Sequence, residues 1–448
     1  MKKTVVIGGG LTGLACAYFA SRAGHDVTIL ESDDRVGGLA DTFEIGGSRL
    51  EKFYHHFFTH DVEFLWLINE LGLSDKVKYY DGSMGIYSGG RVYAFNGPLD
   101  LLKMGCLSLE DKIRFGLTGV YLSKYADWRK YEGTPVHGWF LKYAGKGATK
   151  IIWEPLLKAK FGSYFNAVPV SWMIGRLSQR SGSRKGVKEK LGYPDGSMDV
   201  LLKALIKDLG NRNVKINVNS KVNKITVTGN KALEVVTEGN VFPADLIMST
   251  IPTNRLADLI YDSNPEYAGN LRRIEYFGAL CFILELTEPL GKYYWLNIAE
   301  EDVNFGGVIE HTNLVPAGRY NGSHVVYLSK YFGKDEDIGR MEKGEVEKLM
   351  LADLKKIYPG FNQSAIKNTY LFKTENAACV CGLNFSDKVP VCKSPIENLY
   401  IVGMPHIYPD ERSCNNAVRT AAKACNAAGI DVSYVPKGRS LSGLIGMG

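Results

Sequence analysis

The chain has 448 residues, which exceeds what one hydrophobic core usually holds, so we expect two domains. Its composition, 45% hydrophobic and 23% charged, is that of an ordinary globular protein and excludes an intrinsically disordered chain. The formal charge of +6 comes from Lys and Arg residues scattered among acidic neighbours, which argues against a nucleic-acid partner and favours a small-molecule substrate.

The N-terminal segment superficially resembles a secretory signal, because Lys2 and Lys3 precede an apolar run over residues 4–20. Glycines interrupt that run, and no stretch elsewhere reaches the roughly 18 uninterrupted apolar residues of a membrane span. The eight Cys residues also lack the dense framework of a small secreted domain. We therefore expect a cytoplasmic protein without a transmembrane segment. Peripheral membrane contact and the oligomeric state stay open.

A β-α-β unit is predicted at the start of the chain, with a strand over residues 4–7, a helix over 11–22 and a strand over 26–30. The turn after the first strand is Gly8-Gly9-Gly10-Leu11-Thr12-Gly13. Gly8 permits a tight turn, Gly10 lets the backbone approach a pyrophosphate, and Gly13 lets the helix pack on the strand. The helix N-terminus favours the negative charge of that pyrophosphate.

Glu31 follows the second predicted strand, about twenty residues after the glycine turn. A carboxylate at this position accepts hydrogen bonds from a ribose diol and argues against a ribose 2′-phosphate. Strand, glycines, helix, strand and acid together predict a dinucleotide site that does not take NADP.

The rest of the chain alternates between predicted helices and strands. Helices are predicted at 62–73, 197–209, 342–357 and 417–428, and strands at 84–87, 91–95, 214–218, 225–228, 232–237, 244–249, 279–286, 325–328 and 398–402. Residues 99–179 are mainly helical and rich in aromatic side chains, which is typical of core packing or of a cap over a large apolar pocket. Residues 181–190 have the Ser, Gly and Lys content of an exposed loop.

The segment that begins with Glu31 distinguishes FAD from NAD. Glu31-Ser32-Asp33-Asp34-Arg35-Val36-Gly37-Gly38 resembles the signature of the superfamily of amine oxidases, phytoene desaturases and protoporphyrinogen oxidases. In that family the paired glycines let the backbone pass beside the ribityl and diphosphate groups of FAD. The chain departs from the family at Leu39, where an arginine is common.

Further stretches extend this resemblance over most of the chain. Residues 192–198 are similar to the family's segment before its second FAD-domain helix, Val222 matches the position that meets the adenine, and residues 244–252 resemble the strand that leads back over the cofactor. Residues 398–403 with Asp410 resemble the closing motif, in which an acid contacts the ribityl chain and a helix N-terminus points its amides at the flavin. The predicted FAD contacts are Gly8, Gly10, Leu11, Thr12, Gly13, Glu31, Ser32, Arg35, Gly37, Gly38, Leu39, Val222, Thr250, Gly403, Asp410, Asn416, Ala417 and Val418.

The resemblance implies an α/β fold in which a Rossmann-like FAD-binding domain is interleaved with an α+β substrate or cap domain. The FAD-binding domain takes residues 1–80, 192–255 and 395–435, the substrate domain takes 81–191 and 256–394, and 436–448 form a flexible tail. The chain lacks the Ser-Gly-Gly-Cys-Tyr segment to which monoamine oxidases attach their flavin. We therefore expect FAD to be bound non-covalently.

His55 and His56 are the candidate catalytic residues, within the His-rich segment 53–60. In relatives this loop passes the flavin face, so either imidazole would bond to flavin or substrate or move a proton at neutral pH. A metal site is not predicted, because adjacent side chains on an extended strand point to opposite faces. The cluster Cys379, Cys381 and Cys392 is likewise assigned to buried strand positions.

Two functions follow from these resemblances. The first is an FAD-dependent oxidoreductase that removes hydride equivalents from a C–N or C–C bond of an organic substrate. The alternative is a sugar mutase that uses reduced flavin, because the His loop also resembles that of UDP-galactopyranose mutases. Arg176 would then hold a sugar-nucleotide diphosphate. The polar cluster 310–313 either faces the pocket or forms a turn with satisfied hydrogen bonds.

Overall fold

The structure is a computed structural model that describes residues 1–182, 184–185, 188–441 and 446. Its helices are α1 (Leu11–Arg22), α2 (Val62–Glu70), α3 (Pro98–Lys103), α4 (Leu109–Lys124), α5 (Val136–Tyr143), α6 (Lys146–Ala148), α7 (Glu154–Phe161), α8 (Val170–Gly182), α9 (Ser197–Asn211), α10 (Thr253–Ile260), α11 (Pro265–Arg272), α12 (Lys343–Ile357) and α13 (Cys414–Ala427). Its strands are β1 (Lys3–Ile7), β2 (Asp26–Leu30), β3 (Thr42–Ile45), β4 (Ser48–Glu51), β5 (Phe57–Phe58), β6 (Val77–Asp81), β7 (Met84–Ser88), β8 (Arg91–Ala94), β9 (Arg184–Lys185), β10 (Lys188–Pro194), β11 (Lys215–Asn217), β12 (Val222–Thr228), β13 (Lys231–Thr237), β14 (Asn240–Pro243), β15 (Leu246–Ser249), β16 (Tyr276–Leu286), β17 (Trp295–Ile298), β18 (Gly307–Glu310), β19 (His324–Phe332), β20 (Ile366–Cys379) and β21 (Leu399–Ile401). Among the described residues, no helix has the length and apolar character needed to cross a membrane.

A five-stranded parallel sheet carries the glycine turn, in the order β11-β2-β1-β15-β21. Its central strands are short apolar runs buried on both faces, as helix-covered parallel strands require. On one face, α1, α9 and α13 pack in a common core that includes Leu14, Leu205 and Val418. Every strand of this sheet lies within the predicted FAD-binding segments, although their boundaries stay a prediction.

A seven-stranded sheet, β20-β16-β19-β18-β17-β7-β8, lies within the predicted substrate-domain segments. All eleven residues of β16 are buried, because the sheet is covered on both faces. Helix α12 packs against the face that carries Phe282 and Leu284. The opposite face, with Ile283 and Tyr327, packs on the β3-β4 hairpin.

Helices α3 to α8 form the aromatic cap that the sequence predicts. Its core includes Trp128, Phe140 and Phe161, which are buried with Phe277 of the seven-stranded sheet. The ring centroids of Phe140 and Trp153 lie 4.9 Å apart, a stacked packing contact. Much of the aromatic density is therefore core, some of it also lines a cavity, and a few side chains such as Tyr125 are exposed.

Two predicted flexible segments are ordered where the structure describes them. Residues 188–190, expected in an exposed loop, begin β10, and Lys190 pairs with Asp81 of β6 across the ladder. Residues 183 and 186–187 of that loop lie outside the described residues. In the predicted tail, Gly438 N–H donates to Glu63 Oε1 at 2.8 Å, and the carbonyl of Leu441 accepts from Trp128 Nε1 at 3.0 Å. The tail is thus packed up to Leu441, because buried polar groups of the body supply its hydrogen-bond partners.

Candidate functional site

A cavity of about 1810 Å³ runs between the two sheets and under the cap. Single small-molecule sites usually occupy roughly 300–1,000 Å³, so this volume suits two ligands side by side. Its dinucleotide end is lined by the glycine turn, Glu31 and Val222, and its cap end by aromatic side chains such as Trp153 and Trp172.

The glycine turn at the dinucleotide end has the geometry that the sequence predicts. Gly8 has a φ of +102°, a conformation that glycine adopts without strain. A Cβ on Gly13 would lie 1.9 Å from the Gly8 carbonyl oxygen, so α1 approaches β1 only because residue 13 has no side chain. A Cβ on Gly10 would meet no atom within 4 Å and would project into open space. The backbone at Gly10 is therefore accessible to a ligand.

Glu31 is held in place before any ligand arrives. Its Oε2 accepts from Gly9 N–H at 2.6 Å, and its Oε1 accepts from Asp33 N–H at 2.9 Å. The side chain is buried but lines the cavity. Its Oε1 also accepts from Ser32 Oγ at 3.1 Å, so Oε2 is the oxygen that keeps a lone pair for a ligand hydroxyl, which is the role predicted for Glu31.

The paired glycines cover the glycine turn. Gly37 N–H donates to the Gly9 carbonyl at 2.9 Å. A Cβ on Gly38, which has a φ of +55°, would lie 3.1 Å from Gly10 Cα. Arg35 pairs with Asp41 at 3.2 Å, and Lys52 pairs with the other oxygen of Asp41 at 2.5 Å. Both cations line the cavity, so Lys52 supplies a positive charge near the position where the family's arginine is replaced by Leu39.

Most predicted site residues meet in this one cavity. Those that line it are Gly8, Gly10, Leu11, Thr12, Glu31, Ser32, Arg35, Gly37, Gly38, Leu39, His55, His56, Val222, Thr250, Gly403 and Ala417. Thr250 Oγ1 also donates to the Ile7 carbonyl at 3.0 Å and so ties β15 to the turn. Gly13 does not line the cavity, and its role is to let α1 pack on β1. Asp410, Asn416 and Val418 do not line the cavity, and their contacts with FAD stay predictions.

Helix α13 begins earlier than the sequence predicts. Ser413 is its N-cap, and its Oγ accepts from Asn416 N–H at 3.1 Å, while Ala417 N–H donates to the Ser413 carbonyl at 3.0 Å. Val418 lies further inside the helix, where its amide belongs to the regular ladder. The amides of Asn416, Ala417 and Val418 thus already donate hydrogen bonds within the helix or to its N-cap. The first-turn amides without an intrahelical acceptor belong to Cys414 and Asn415.

Two adjacent acids of the closing motif, Asp410 and Glu411, have different surroundings. Asp410 Oδ2 accepts from Ser440 Oγ at 2.7 Å and fastens the tail instead of facing the cavity. Its neighbour Glu411 lines the cavity and pairs with Arg176. Adjacent acids in a loop cannot be told apart by spacing alone, because the loop backbone decides which one points inward.

His55 and His56 both line the cavity. His55 Nδ1 bonds to the Phe53 carbonyl at 2.5 Å, and His56 Nδ1 bonds to Tyr294 Oη at 3.0 Å. Burial lowers the pKa of each imidazole to about 4, so both are neutral at pH 7. That geometry suits neutral hydrogen-bonding groups, and it does not favour the predicted proton exchange at neutral pH.

A charged cluster of Lys160, Arg176, Arg180, Glu411 and Arg412 lies where the two ends of the cavity meet. Burial opposes ionisation of Glu411, but Arg176 and Lys160 lead the surrounding cations in holding its pKa below its usual value. Arg412 donates to two neutral acceptors, the Ala377 carbonyl and Tyr331 Oη. Glu189 is a second acid nearby, since it also lines the cavity. Three guanidinium groups and Lys160 thus face two acids, so the arginines alone leave a surplus of positive charge.

Lys160 is the only lysine of the charged cluster. Burial, followed by repulsion from Arg176, lowers its pKa well below that of a free lysine. Its Nζ lies 4.7 Å from the centre of the Trp172 ring, and the Arg176 guanidinium lies 5.0 Å from the same ring. An anion bound beside Lys160 would relieve this repulsion.

Two thiols line the cavity, those of Cys281 and Cys414. Burial raises the pKa of each to about 12, so both stay protonated and neither is a nucleophile at neutral pH. Cys414 is therefore a small packed side chain, as the sequence favours. Among the described residues, no group of three or more His, Cys, Asp or Glu side chains is placed to hold a metal ion.

The polar cluster 310–313 is a satisfied turn outside the cavity lining. Glu310 accepts from Leu290 N–H and Gly291 N–H at 3.0 and 2.7 Å, and His311 Nε2 bonds to Tyr320 Oη at 2.8 Å. These groups hold β18 against the loop before β17. Of the two alternatives for this cluster, the structural one is confirmed.

Comparison with known proteins identifies the family. A model of the flavin containing amine oxidoreductases matches residues 11–427. The chain belongs to that family. This family member is 20% identical over 497 residues to the mitochondrial protoporphyrinogen oxidase of Nicotiana tabacum, an alignment that covers 97% of this chain and 95% of that protein. It is 22% identical over 437 residues to a 15-cis-phytoene desaturase of Arabidopsis thaliana, covering 90% of this chain and 75% of that protein.

The fold of this flavin-containing amine oxidoreductase is also that of solved structures. A crystal structure of reduced UDP-galactopyranose mutase superposes with a TM-score of 0.74 at 15% identity, covering 96% of both chains. This superposition confirms the predicted α/β fold, and the family match confirms the predicted FAD-dependent oxidoreductase class. At such identity the superposition establishes the fold and leaves the substrate open.

The dinucleotide end fits FAD. The accessible backbone at Gly10, the free amides at the start of α1 and the oriented carboxylate of Glu31 suit a pyrophosphate and a ribose. Cys414, at the start of α13, and the neutral imidazoles of His55 and His56 also line the cavity. Bound FAD would supply the two-electron acceptor, and the chain would bind it, orient a substrate and exclude water.

Sequence reasoning missed most of the charged cluster. Lys160, Arg180 and Arg412 come from α7, α8 and the loop before α13, and no local motif marks them. Arg176 was noted only for the mutase alternative. The one available signal is the position of Arg412, two residues after Asp410 in the closing motif.

Proposed function

We propose that this oxidoreductase dehydrogenates a C–C or C–N bond of an organic substrate that has an apolar body and an anionic group. The observation that carries the proposal is the charged cluster at the junction of the two ends of the cavity. An anion placed there would bond to guanidinium groups with fixed donor geometry, while the aromatic cap end would take the apolar body.

The charge of the cluster bears on which bond is oxidised. A simple aliphatic amine is a cation at pH 7, and the surplus of Lys and Arg around Glu411 would repel it. A C–C bond, or a C–N bond in a molecule of net negative charge, is therefore favoured. The names of two relatives, a protoporphyrinogen oxidase and a phytoene desaturase, support oxidation of large organic molecules.

We assign the FAD contacts to the cavity-lining residues of the dinucleotide end, with Gly13 acting through packing and Cys414 providing the amide at the start of α13. His55 and His56 would position FAD or substrate as neutral hydrogen-bonding groups. The substrate loses a hydride equivalent and a proton, and an external electron acceptor must restore the oxidised cofactor. All eight Cys residues are free thiols, which supports a cytoplasmic location.

A second candidate is the sugar mutase that works with reduced flavin. The charged cluster also suits a diphosphate, and the fold matches that of a UDP-galactopyranose mutase. This alternative differs from the first in one measurable respect, because it causes no net oxidation of substrate.

The first experiment is the visible spectrum of the purified protein, followed by anaerobic addition of amines, a porphyrinogen, a carotenoid precursor and nucleotide sugars. Bleaching of the flavin band by an anionic, partly apolar compound supports the proposal. Bleaching only by simple amines contradicts the anionic substrate. Conversion of a nucleotide sugar by dithionite-reduced protein, without bleaching by any substrate, would establish the mutase.

A further inference from the structure

The outer face of the cap carries an unusual concentration of exposed apolar side chains. On α4, Leu109 is 67% exposed, Ile113 52% and Leu117 67%. These positions recur every four residues and so form one stripe along the helix. On the adjoining α3, Leu99 is 60% and Leu102 54% exposed. We call this set the α3-α4 face.

Exposing such a face to water costs free energy, and contiguous apolar patches of this kind mark interaction surfaces. The inner side of α4 is already packed, because Leu122 is buried and the carbonyl of Ser123 accepts from Ser178 Oγ on α8 at 3.2 Å. The exposed stripe is thus additional to what the cap core needs.

The charge around the α3-α4 face indicates which kind of partner it binds. Residues 98–150 contain nine Lys and Arg against five Asp and Glu, so much of the chain's surplus of +6 is concentrated here. Lys103 and Lys124 are exposed at the ends of α3 and α4. Three of the five acids are engaged locally: Asp100 accepts from Asn96, Asp111 from Ser108, and Glu110 from Arg114. An apolar stripe with basic flanks matches an anionic bilayer surface.

The α3-α4 face is continuous with the cavity. Pro98, Val120 and Lys124 are exposed to solvent and also line the cavity. Gly116 and Gly119 of α4 line the cavity together with Phe115, Thr118 and Ser123, and a Cβ on either glycine would meet no atom within 4 Å. The cap end therefore reaches the surface beside the apolar stripe.

We propose that the α3-α4 face docks on an anionic lipid bilayer, and that the cavity takes its substrate from that bilayer. Helix α4 would lie in the interface, with its apolar stripe toward the acyl chains and the basic side chains at the headgroups. A membrane-resident amphiphile would enter past Val120 and reach the charged cluster with its anionic group. The substrate part rests on the proposed function, whereas the docking part does not.

Vesicle co-sedimentation tests the docking without turnover. Purified FAD-loaded protein is mixed with vesicles of phosphatidylglycerol or of phosphatidylcholine at low and high salt. We expect the protein to sediment with phosphatidylglycerol vesicles, to bind phosphatidylcholine about tenfold less, and to dissociate as salt rises. No sedimentation, or equal sedimentation with both lipids, overturns the proposal.

Matched variants locate the surface. The double substitution Ile113→Glu with Leu117→Glu lies outside the cavity lining and should reduce partitioning at least about tenfold. The control Leu233→Glu with Val241→Glu changes exposed side chains of β13 and β14 and should bind like the wild type. An unchanged flavin spectrum and melting temperature verify that both variants fold. Equal binding by the α4 variant overturns the proposal.

A second copy of the chain is the other possible occupant of the α3-α4 face. Light scattering after size exclusion distinguishes it, and we expect the wild type and the α4 variant to have the same mass. A wild-type dimer that the α4 substitutions convert to a monomer would overturn bilayer docking. Failure of vesicle binding leaves the proposed oxidation intact, because the soluble substrate panel tests that separately.

Discussion

The two ends of the cavity are built in different ways. The dinucleotide end is made by contiguous segments, residues 8–13 and 31–39, and it presents backbone amides, glycines and one oriented carboxylate. The cap end and the charged cluster are made by side chains from α7, α8 and the loop before α13. A backbone-built end recognises what every family member binds, whereas a side-chain-built end can change its ligand by substitution.

The largest effect should come from breaking the backbone geometry of the dinucleotide end. Gly13→Ala puts a Cβ 1.9 Å from the Gly8 carbonyl oxygen, and we expect a loss of about 3 kcal/mol in unfolding free energy. FAD content, measured as the ratio of flavin to protein absorbance, should fall with it. Gly210→Ala in α9 meets no atom within 4 Å and serves as the control. Normal flavin content in Gly13→Ala would contradict the packing role.

A smaller effect should follow from changing the one side chain that the dinucleotide end relies on. Glu31→Gln removes an acceptor for Gly9 N–H, Asp33 N–H and the ribose, and we expect FAD to bind about 30-fold more weakly, roughly 2 kcal/mol. Equilibrium dialysis of FAD measures this. Glu238→Gln, at an exposed position, should have no effect. Unchanged affinity in Glu31→Gln would show that the backbone alone holds the cofactor.

The charged cluster should respond to pH where the dinucleotide end does not. The pKa of Lys160 is lowered, so its charge is lost as pH rises through a value below that of a free lysine. We expect KM for an anionic substrate to rise about tenfold over that range while kcat changes little. Lys160→Arg should flatten the profile, and Lys160→Met should have the high KM throughout. A profile unchanged in both variants would remove Lys160 from substrate binding.

The smallest effect is expected at Glu51 of β4, which joins α9 and β10 to the seven-stranded sheet. Its carboxylate accepts from Tyr193 Oη and Met198 N–H at 2.8 and 2.7 Å, and its carbonyl accepts from Tyr327 Oη of the seven-stranded sheet. Burial raises its pKa to about 7, above the unfolded value of 4.5. The folded state therefore holds this proton more tightly, and stability falls as pH rises from 4.5 through 7.

Glu51→Gln should remove that part of the slope, which amounts to about 1 kcal/mol between pH 6 and 8. Thermal unfolding of both proteins across this range measures it. Glu310, whose pKa burial also raises to about 7, contributes a slope of the same sign, so Glu310→Gln is a useful comparison. Parallel curves for wild type and Glu51→Gln would contradict the assignment.

The elements that the sequence predicts well are those with a strong local signal. The helix at 11–22 and the strand at 26–30 match α1 and β2 residue for residue. The 14-residue strand β20 was missed, because its partly exposed residues, among them Lys367, Asn368 and Glu375, follow no simple alternation. Pairing with the buried β16 keeps β20 extended, and that pairing joins segments far apart in the chain.

The sequence by itself determined the glycine turn, Glu31, the order of the family motifs and hence the cofactor end of the cavity. These features are local, since spacing along one strand and one helix fixes their geometry. Only the tertiary structure decided that Glu411 faces inward instead of Asp410, that α13 begins at Cys414, and that Lys160 and Arg412 meet across the cavity. Those outcomes depend on how distant segments pack, because burial and neighbouring charges are properties of the folded chain alone.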